Sequence, residues 1–285
     1  MHETESAQTS LSFEFFPPRS PEAVAKLAST CSELTALKPE FFSVTYGAGG
    51  STRDLTLDTV LSVKTQTRVD TAPHLSCVGS SLDDIRATLE SYSVAGITRL
   101  VALRGDMPSG TTGLGELRFA SELVAFIRRE YGARFHLEVA AYPEVHPQAA
   151  GAQADLDHFK EKVDAGADSA ITQYFYNPDA YFRFVDSCSA AGIDIPIIAG
   201  IMPVTNYTNL KRFSDMCGAE IPRWMLKRLQ DFGDDRESLQ AFGIDVTTAL
   251  CERLMDAPVP GFHFYSMNQS QACIAVCSNL GLAGK

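Results

Sequence analysis

Ser12-Phe13-Glu14-Phe15-Phe16-Pro17-Pro18-Arg19, continued by Ser20-Pro21, decides between the two folds open to this chain. Ser12–Phe16 reads as a short strand whose two faces differ. Ser20 then offers a helix N-cap, and Pro21 suits the first helical position. A doubly wound nucleotide-binding sheet would leave its first strand through a glycine fingerprint. Phe16-Pro17-Pro18-Arg19 cannot make that turn. The alternative that fits is a closed barrel.

Outward from this stretch, short β-type runs alternate with helix-period segments to the end of the chain. Phe41–Tyr46, Thr71–Cys77, Arg99–Arg104, His136–Tyr142, Ser169–Phe175, Ile195–Ile201 and Gly261–Met267 supply seven more strands. Ser81-x-x-Asp84 and Asn177-Pro178 mark two of the helix starts. Eight units in 285 residues is about 36 residues per unit, the requirement of a (β/α)8 TIM barrel. Ile221–Asp256 is extra helical material between strands seven and eight. Residues 1–10 read as a polar tail and 11–285 as a single barrel domain.

Composition narrows the function. The chain is 45% hydrophobic and carries 35 acidic against 24 basic residues, a net charge of −11. That balance argues against nucleic-acid or anionic-membrane partners. The polar N-terminus lacks the apolar core of a secretory signal, and no apolar run reaches the ~20 residues of a membrane span. Seven cysteines without a CxxC fit free thiols in a reducing cytoplasm. A cytoplasmic location is expected.

Strand phase locates the chemistry. In strand one Phe13 and Phe15 share a face, opposite Ser12 and Glu14. Strand two sets Ser43 and Thr45 against Phe42 and Val44, and strand three sets His74 and Ser76 against Leu75 and Cys77. Strand four is read with Val101 and Leu103 toward the helices and Ala102 and Arg104 toward the lumen. Glu138 and Tyr142 of strand five and Gln173 of strand six also point inward. Polar groups from six strands thus meet at the C-terminal mouth, where barrel enzymes work. Glu14 and Arg104 stand out, since a charge inside a barrel is costly unless paired or functional. A structural Glu14–Arg104 pair is the alternative reading. All eight lysines fall outside the strands, against a Schiff-base aldolase, and no GxSxG or HExxH occurs. Glu14, His74 and Glu138 could converge on a metal, although Arg104 at the same mouth favours an anion.

The stretch Ser12–Arg19 resembles the methylenetetrahydrofolate reductase family. The resemblance continues through Ser43-Val44-Thr45-Tyr46-Gly47-Ala48-Gly49-Gly50-Ser51-Thr52-Arg53-Asp54, Ala72-Pro73-His74-Leu75 and Ala102-Leu103-Arg104-Gly105-Asp106. Ala141-Tyr142-Pro143-Glu144-Val145-His146-Pro147, Ala170-Ile171-Thr172-Gln173, Gly200-Ile201-Met202-Pro203-Val204 and Phe262-His263-Phe264-Tyr265 complete it.

The resemblance implies an FAD-binding barrel that reduces 5,10-methylenetetrahydrofolate to 5-methyltetrahydrofolate by ping-pong hydride transfer. NADH or NADPH would be the donor, and the methyl group would serve methionine synthesis. It also implies a homo-oligomer and, from where the chain stops, the short bacterial form. Glu14 would be the acid that protonates N10 of the folate, and an apolar-walled lumen is expected to keep its carboxyl protonated near neutral pH. Asp106 would stabilise the developing cation.

For FAD the matching positions are Thr45, Tyr46, Ala48, His74, Arg104, Gly105, Asp106, Ala120, Tyr142, His146, Ala149, Asp155, His158 and Lys162. For folate and nicotinamide they are Glu14, Arg19, Thr45, Asp106, Gln173, Phe213 and Gln269. No metal is implied. Many members carry arginine where this chain has Gln269, which leaves the folate's glutamate carboxylates short of a cation; Arg223 or Arg228 could supply one. Ala199 also departs from a common proline. The competing functions are a flavin-free barrel lyase or folate-dependent transferase using Glu14 and His74, and a non-catalytic folate- or flavin-binding protein.

Overall fold

The computed structural model describes residues 9–46, 53–105 and 115–283. Most of the polar tail, the run 47–50 with Ala48, and Asp106 lie outside the described residues. Eight strands form the barrel: β1 (Ser10–Phe15), β2 (Phe41–Val44), β3 (Asp70–Ser76), β4 (Arg99–Leu103), β5 (His136–Ala141), β6 (Ser169–Thr172), β7 (Ile197–Ile201) and β8 (Gly261–Tyr265). They pair in chain order, all parallel, and β8 closes onto β1 with Phe13 opposite Phe264. β1 begins at Ser10, so the barrel takes in the last residue assigned to the tail.

Helices α1 (Pro21–Thr35), α2 (Arg53–Thr67), α3 (Leu82–Val94), α4 (Ala120–Tyr131), α5 (Ala152–Asp164) and α6 (Pro178–Ala190) follow the first six strands. After β7 come α7 (Tyr207–Cys217), α8 (Arg223–Asp231) and α9 (Arg236–Met255), and α10 (Gln271–Asn279) follows β8. The extra material before β8 is therefore α8 and α9, within the expected span. The caps form as the sequence implies. Ser20 Oγ accepts from Ala23 N at 3.2 Å, Ser81 Oγ from Asp84 N at 3.1 Å, and Asn177 Oδ1 from Asp179 N at 3.1 Å. All seven cysteines are free, and six are buried. Among the described residues no helix is long and apolar enough to cross a membrane.

Two apolar layers share each strand. Phe13, Phe15, Phe42, Leu75, Leu137 and Phe264 join the helices in the outer core. Phe41, Ala72, Val101, Ile171 and Ile198 fill the lumen floor. Strand four is therefore phased opposite to the sequence reading: Val101 and Leu103 pack inward, while Ala102 meets the helices. The cause is Arg99, which enters the lumen from the N-terminal end of β4. Its guanidinium bonds Glu138 Oε1 at 2.5 Å and Glu40 Oε1 at 2.6 Å, and sits 4.4 Å from the centre of the Phe41 ring. Alternation from Arg99 fixes Val101 and Leu103 inward. Arg104 lies beyond the strand end, where alternation no longer binds it.

Glu138 is fully buried and also accepts from Ser169 Oγ at 2.5 Å, with His136 Nε2 at 3.2 Å. Burial pushes its carboxyl up, but the bonds from His136 and Ser169 and the Arg99 charge outweigh this and hold it below its ordinary value. Replacing Arg99 with Met strands this carboxylate. The variant is expected to lose about 3 kcal/mol of unfolding free energy in urea titrations, and Arg99→Met combined with Glu138→Leu to regain most of it.

Candidate active site

Glu14 leaves β1 toward the lumen, and two imidazoles face its Oε2. His74 Nε2 of β3 is 3.3 Å away and His263 Nε2 of β8 is 3.8 Å away. At these separations the coupling is one of charge and near contact more than of ideal hydrogen bonds. His263 is fully buried, stacks 5.8 Å from the Phe41 ring, and its Nδ1 meets Ser12 Oγ at 2.7 Å. A hydroxyl donating to Nδ1 leaves the ring proton on Nε2, facing Glu14.

Burial raises the Glu14 carboxyl; the contacts and charge of His263 and His74 overcome that and hold it at about 2. This corrects the expectation of a carboxyl kept protonated by apolar walls. The walls do act in that direction, but two facing imidazoles act more strongly. The expected Glu14–Arg104 alternative is not formed either: Arg104 Nη2 bonds Gln148 Oε1 at 2.6 Å.

The mouth around Glu14 is tied to β8. Asn268 Oδ1 accepts from Phe16 N at 2.8 Å and its Nδ2 donates to Phe16 O at 3.0 Å, while Ser266 Oγ donates to Glu14 O at 2.6 Å. Met267 and Asn268 both take φ of 54°, a strained left-handed turn that these bonds hold in place.

Three cavities of about 320 Å³ each open along this rim. The first is lined by Arg104, Gly105, Ala120, Tyr142, Lys162 and their neighbours. The second holds Glu14, Gln173, Tyr174, Phe213 and Tyr265, and shares Tyr142, His146 and Gln148 with the first. The third, lined by Asn206, Arg236 and Gln269 among others, shares Met202, Phe213 and Met267 with the second. Through these shared residues the three cavities adjoin one another at the C-terminal face.

The methylenetetrahydrofolate reductase family model matches residues 1–281. The chain belongs to that family. It is 43% identical over 275 residues to the 5,10-methylenetetrahydrofolate reductase of Escherichia coli K12, covering 96% of this chain and 92% of that one. It is 40% identical to the Buchnera aphidicola (Schizaphis graminum) protein of the same name, covering 95% and 91%. Methylenetetrahydrofolate reductase (NADH) 1 of Arabidopsis thaliana is 38% identical; the match covers 98% of this chain and 49% of that longer protein. Among solved structures, an uncharacterised Clostridium thermocellum protein that binds two copies of 5-methyl-5,6,7,8-tetrahydrofolic acid superposes with a TM-score of 0.70. It is 16% identical and covers 98% of this chain and 94% of its own, so it bears on the fold alone.

The residues that the methylenetetrahydrofolate reductase resemblance singled out fall into groups. Arg104, Gly105, Ala120, Tyr142, His146, Ala149, Asp155, His158 and Lys162 line the first cavity together. Asp155 Oδ2 accepts from His146 N at 2.7 Å, the Tyr142 and His146 rings meet edge-on at 4.5 Å, and His158 stacks on Phe119 at 6.3 Å. Gly105 must be glycine: it has φ of +83°, and a Cβ there would sit 1.8 Å from Ser76 Oγ. Glu14, Gln173 and Phe213 gather in the second cavity and Gln269 in the third. Gln173 Oε1 accepts from Tyr174 N at 3.0 Å, which turns its amide nitrogen to the cavity.

His74 reaches the site through Glu14, and Thr45, with Tyr46 beside it, is anchored by a 2.9 Å bond from its N to Phe15 O. Arg19 is exposed and lines none of the three cavities. Glu138 sits at the opposite end of the lumen on Arg99, so it does not converge with Glu14 and His74.

His263 is the residue that the sequence reading missed as a site candidate. The signal was present: His263 alternates with Phe262 and Phe264 on β8, as Glu14 does with Phe13 and Phe15. Replacing either His263 or His74 with Asn removes a counter-group while leaving the burial. The Glu14 carboxyl is then expected to rise from about 2 toward or past its ordinary 4.5, read as a carboxyl-carbon NMR titration. The sign follows from the depressed native value. Stability contributed by Glu14 is complete above about 4.5 and is lost as pH falls through about 2 in the parent; in the variants it disappears at higher pH.

Proposed function

We propose that this protein reduces 5,10-methylenetetrahydrofolate to 5-methyltetrahydrofolate, with bound FAD and a reduced nicotinamide as electron donor, in two alternating half-reactions. The observation that carries the reading is Glu14 between two imidazoles at the junction of the groove, in a chain of the reductase family.

The first cavity fits FAD by its donor set. Arg104 and Lys162 are cations suited to a pyrophosphate, Tyr142 offers an aromatic face, and Ala102, Ala120, Ala140 and Ala149 leave room along the walls. When bound, the flavin supplies a hydride relay between nicotinamide and folate.

The chain's own residues manage the proton. Reduction at the folate's one-carbon bridge requires N10 to be protonated so that the five-membered ring opens to an iminium cation. Glu14 Oε2 would hand that proton to N10, which keeps it in the product amine, so each turnover draws one proton from solvent. His74 and His263 hold the Glu14 carboxyl toward the cavity, with Ser12 orienting the His263 ring. Glu14 as an anion also stabilises the iminium once it forms. Gln173 would orient the ring through its amide nitrogen, and the half-buried, neutral Tyr265, whose hydroxyl donates to Thr172 O at 2.7 Å, closes the floor beneath.

Purified protein reconstituted with FAD is expected to be yellow, to bleach with NADH or NADPH, and to recover colour with methylenetetrahydrofolate. A folded protein that FAD cannot reconstitute would overturn the reading. Glu14→Gln is expected to retain nicotinamide-driven bleaching while slowing folate-driven recovery by about 10²–10⁴-fold in anaerobic stopped-flow.

Lys162 gives a pH signature. Burial pushes its amine down, against the Asp155 charge that pushes it up, leaving it at about 8. Only the ammonium attracts phosphate, so FAD affinity is expected to fall as pH rises through and above about 8. Lys162→Gln should weaken binding and flatten that pH dependence in fluorescence titrations.

A further inference from the structure

We infer that Arg236 is the cation of a subsite for the glutamate carboxylates of the folate tail. The inference rests on the folate reading above and extends it to residues outside the family resemblance.

The third cavity lies directly beyond the one that holds Glu14, through a shared wall of Met202, Phe213 and Met267. A ligand whose ring reacts at Glu14 and whose tail follows the groove would pass an aromatic linker along that apolar wall. Its far end would enter the third cavity. There, among the described lining residues, Arg236 is the sole charged side chain, surrounded by the amides of Asn206, Asn209, Gln240 and Gln269. A guanidinium among amides is a donor set for carboxylates.

Arg236 is also uncommitted. It opens α9, is exposed, and has no ion pair among the described residues. The neighbouring carboxylate of Asp235 is turned onto its own helix, accepting from Ser238 N at 3.1 Å. Neither cation suggested by the sequence takes this place. Arg223 does not line the cavity, and Arg228 lies 4.9 Å from the Phe232 ring centre, away from it. Asp231, Asp234 and Glu237 lie close in sequence but do not line the cavity either.

The test compares 5-methyltetrahydrofolate with its pteroate analogue, which lacks the glutamate, in equilibrium binding to the FAD-loaded protein. The parent is expected to bind the glutamate-bearing ligand about tenfold or more tightly than the analogue. Arg236→Gln should remove most of that preference while binding the analogue as the parent does, and Arg236→Lys should restore part of it. An undiminished preference in Arg236→Gln, or no preference in the parent, would overturn the subsite and leave the functional reading intact. Failure of the parent to bind either ligand would overturn both.

Discussion

A closed parallel barrel turns one face of every strand into a lumen that side chains fill, so any charge placed there must bring its own partner. The rest of this molecule follows from that constraint. Among the described residues, Glu14 and Glu138 enter the lumen, and each is met by opposite or titratable groups from neighbouring strands. At the N-terminal end Glu138 meets Arg99, His136 and Ser169. At the C-terminal end Glu14 meets His74 and His263. Between them Phe41, Val101, Ile171 and Ile198 form an apolar plug that keeps the two clusters separate.

The same constraint bears on how an acidic protein would receive the anionic ligands proposed above. The net charge of −11 is spread over helices and loops, while the groove draws its character from a few placed cations. Arg104 and Lys162 stand at one end and Arg236 at the other. Lys162 is held against Ala140 O at 2.5 Å, and burial lowers its amine to about 8. Long-range repulsion from the exterior is screened over about 8–10 Å at ordinary salt, whereas contacts inside a partly enclosed groove are screened much less.

What could be read from sequence divides along the same line. Alternation along strands one, two, three and five was legible because phenylalanine, leucine and valine mark the helix side without ambiguity. The caps at Ser20, Ser81 and Asn177 were legible because they are local hydrogen bonds. Strand four misled because Val101 and Leu103 look like helix-facing residues, and the residue that sets the phase, Arg99, looks like a surface cation at a strand start. Its true setting depends on Glu40 and Glu138, 59 and 39 residues away. His263 was passed over for a related reason: its meaning comes from Ser12 and Glu14, some 250 residues earlier, brought adjacent when β8 closes onto β1. The family resemblance named residues that line the first cavity together, although nothing in the period of α5 distinguished Asp155, His158 and Lys162 from a solvated helix face.

The two buried glutamates also show why partner identity matters more than burial. Both have their carboxyls depressed, against the direction in which burial pushes. An arginine partner cannot give up its proton at any pH a protein survives, so Glu138 is locked as an anion and serves the fold. The partners of Glu14 are imidazoles rather than a guanidinium, so its anion is not matched by a permanent cation. Under the function proposed above, acid catalysis by Glu14 requires its carboxyl to take up a proton once the folate is bound. Ser12 and the stacked Phe41 ring hold His263 against Glu14, which ties β8 to the carboxyl on β1.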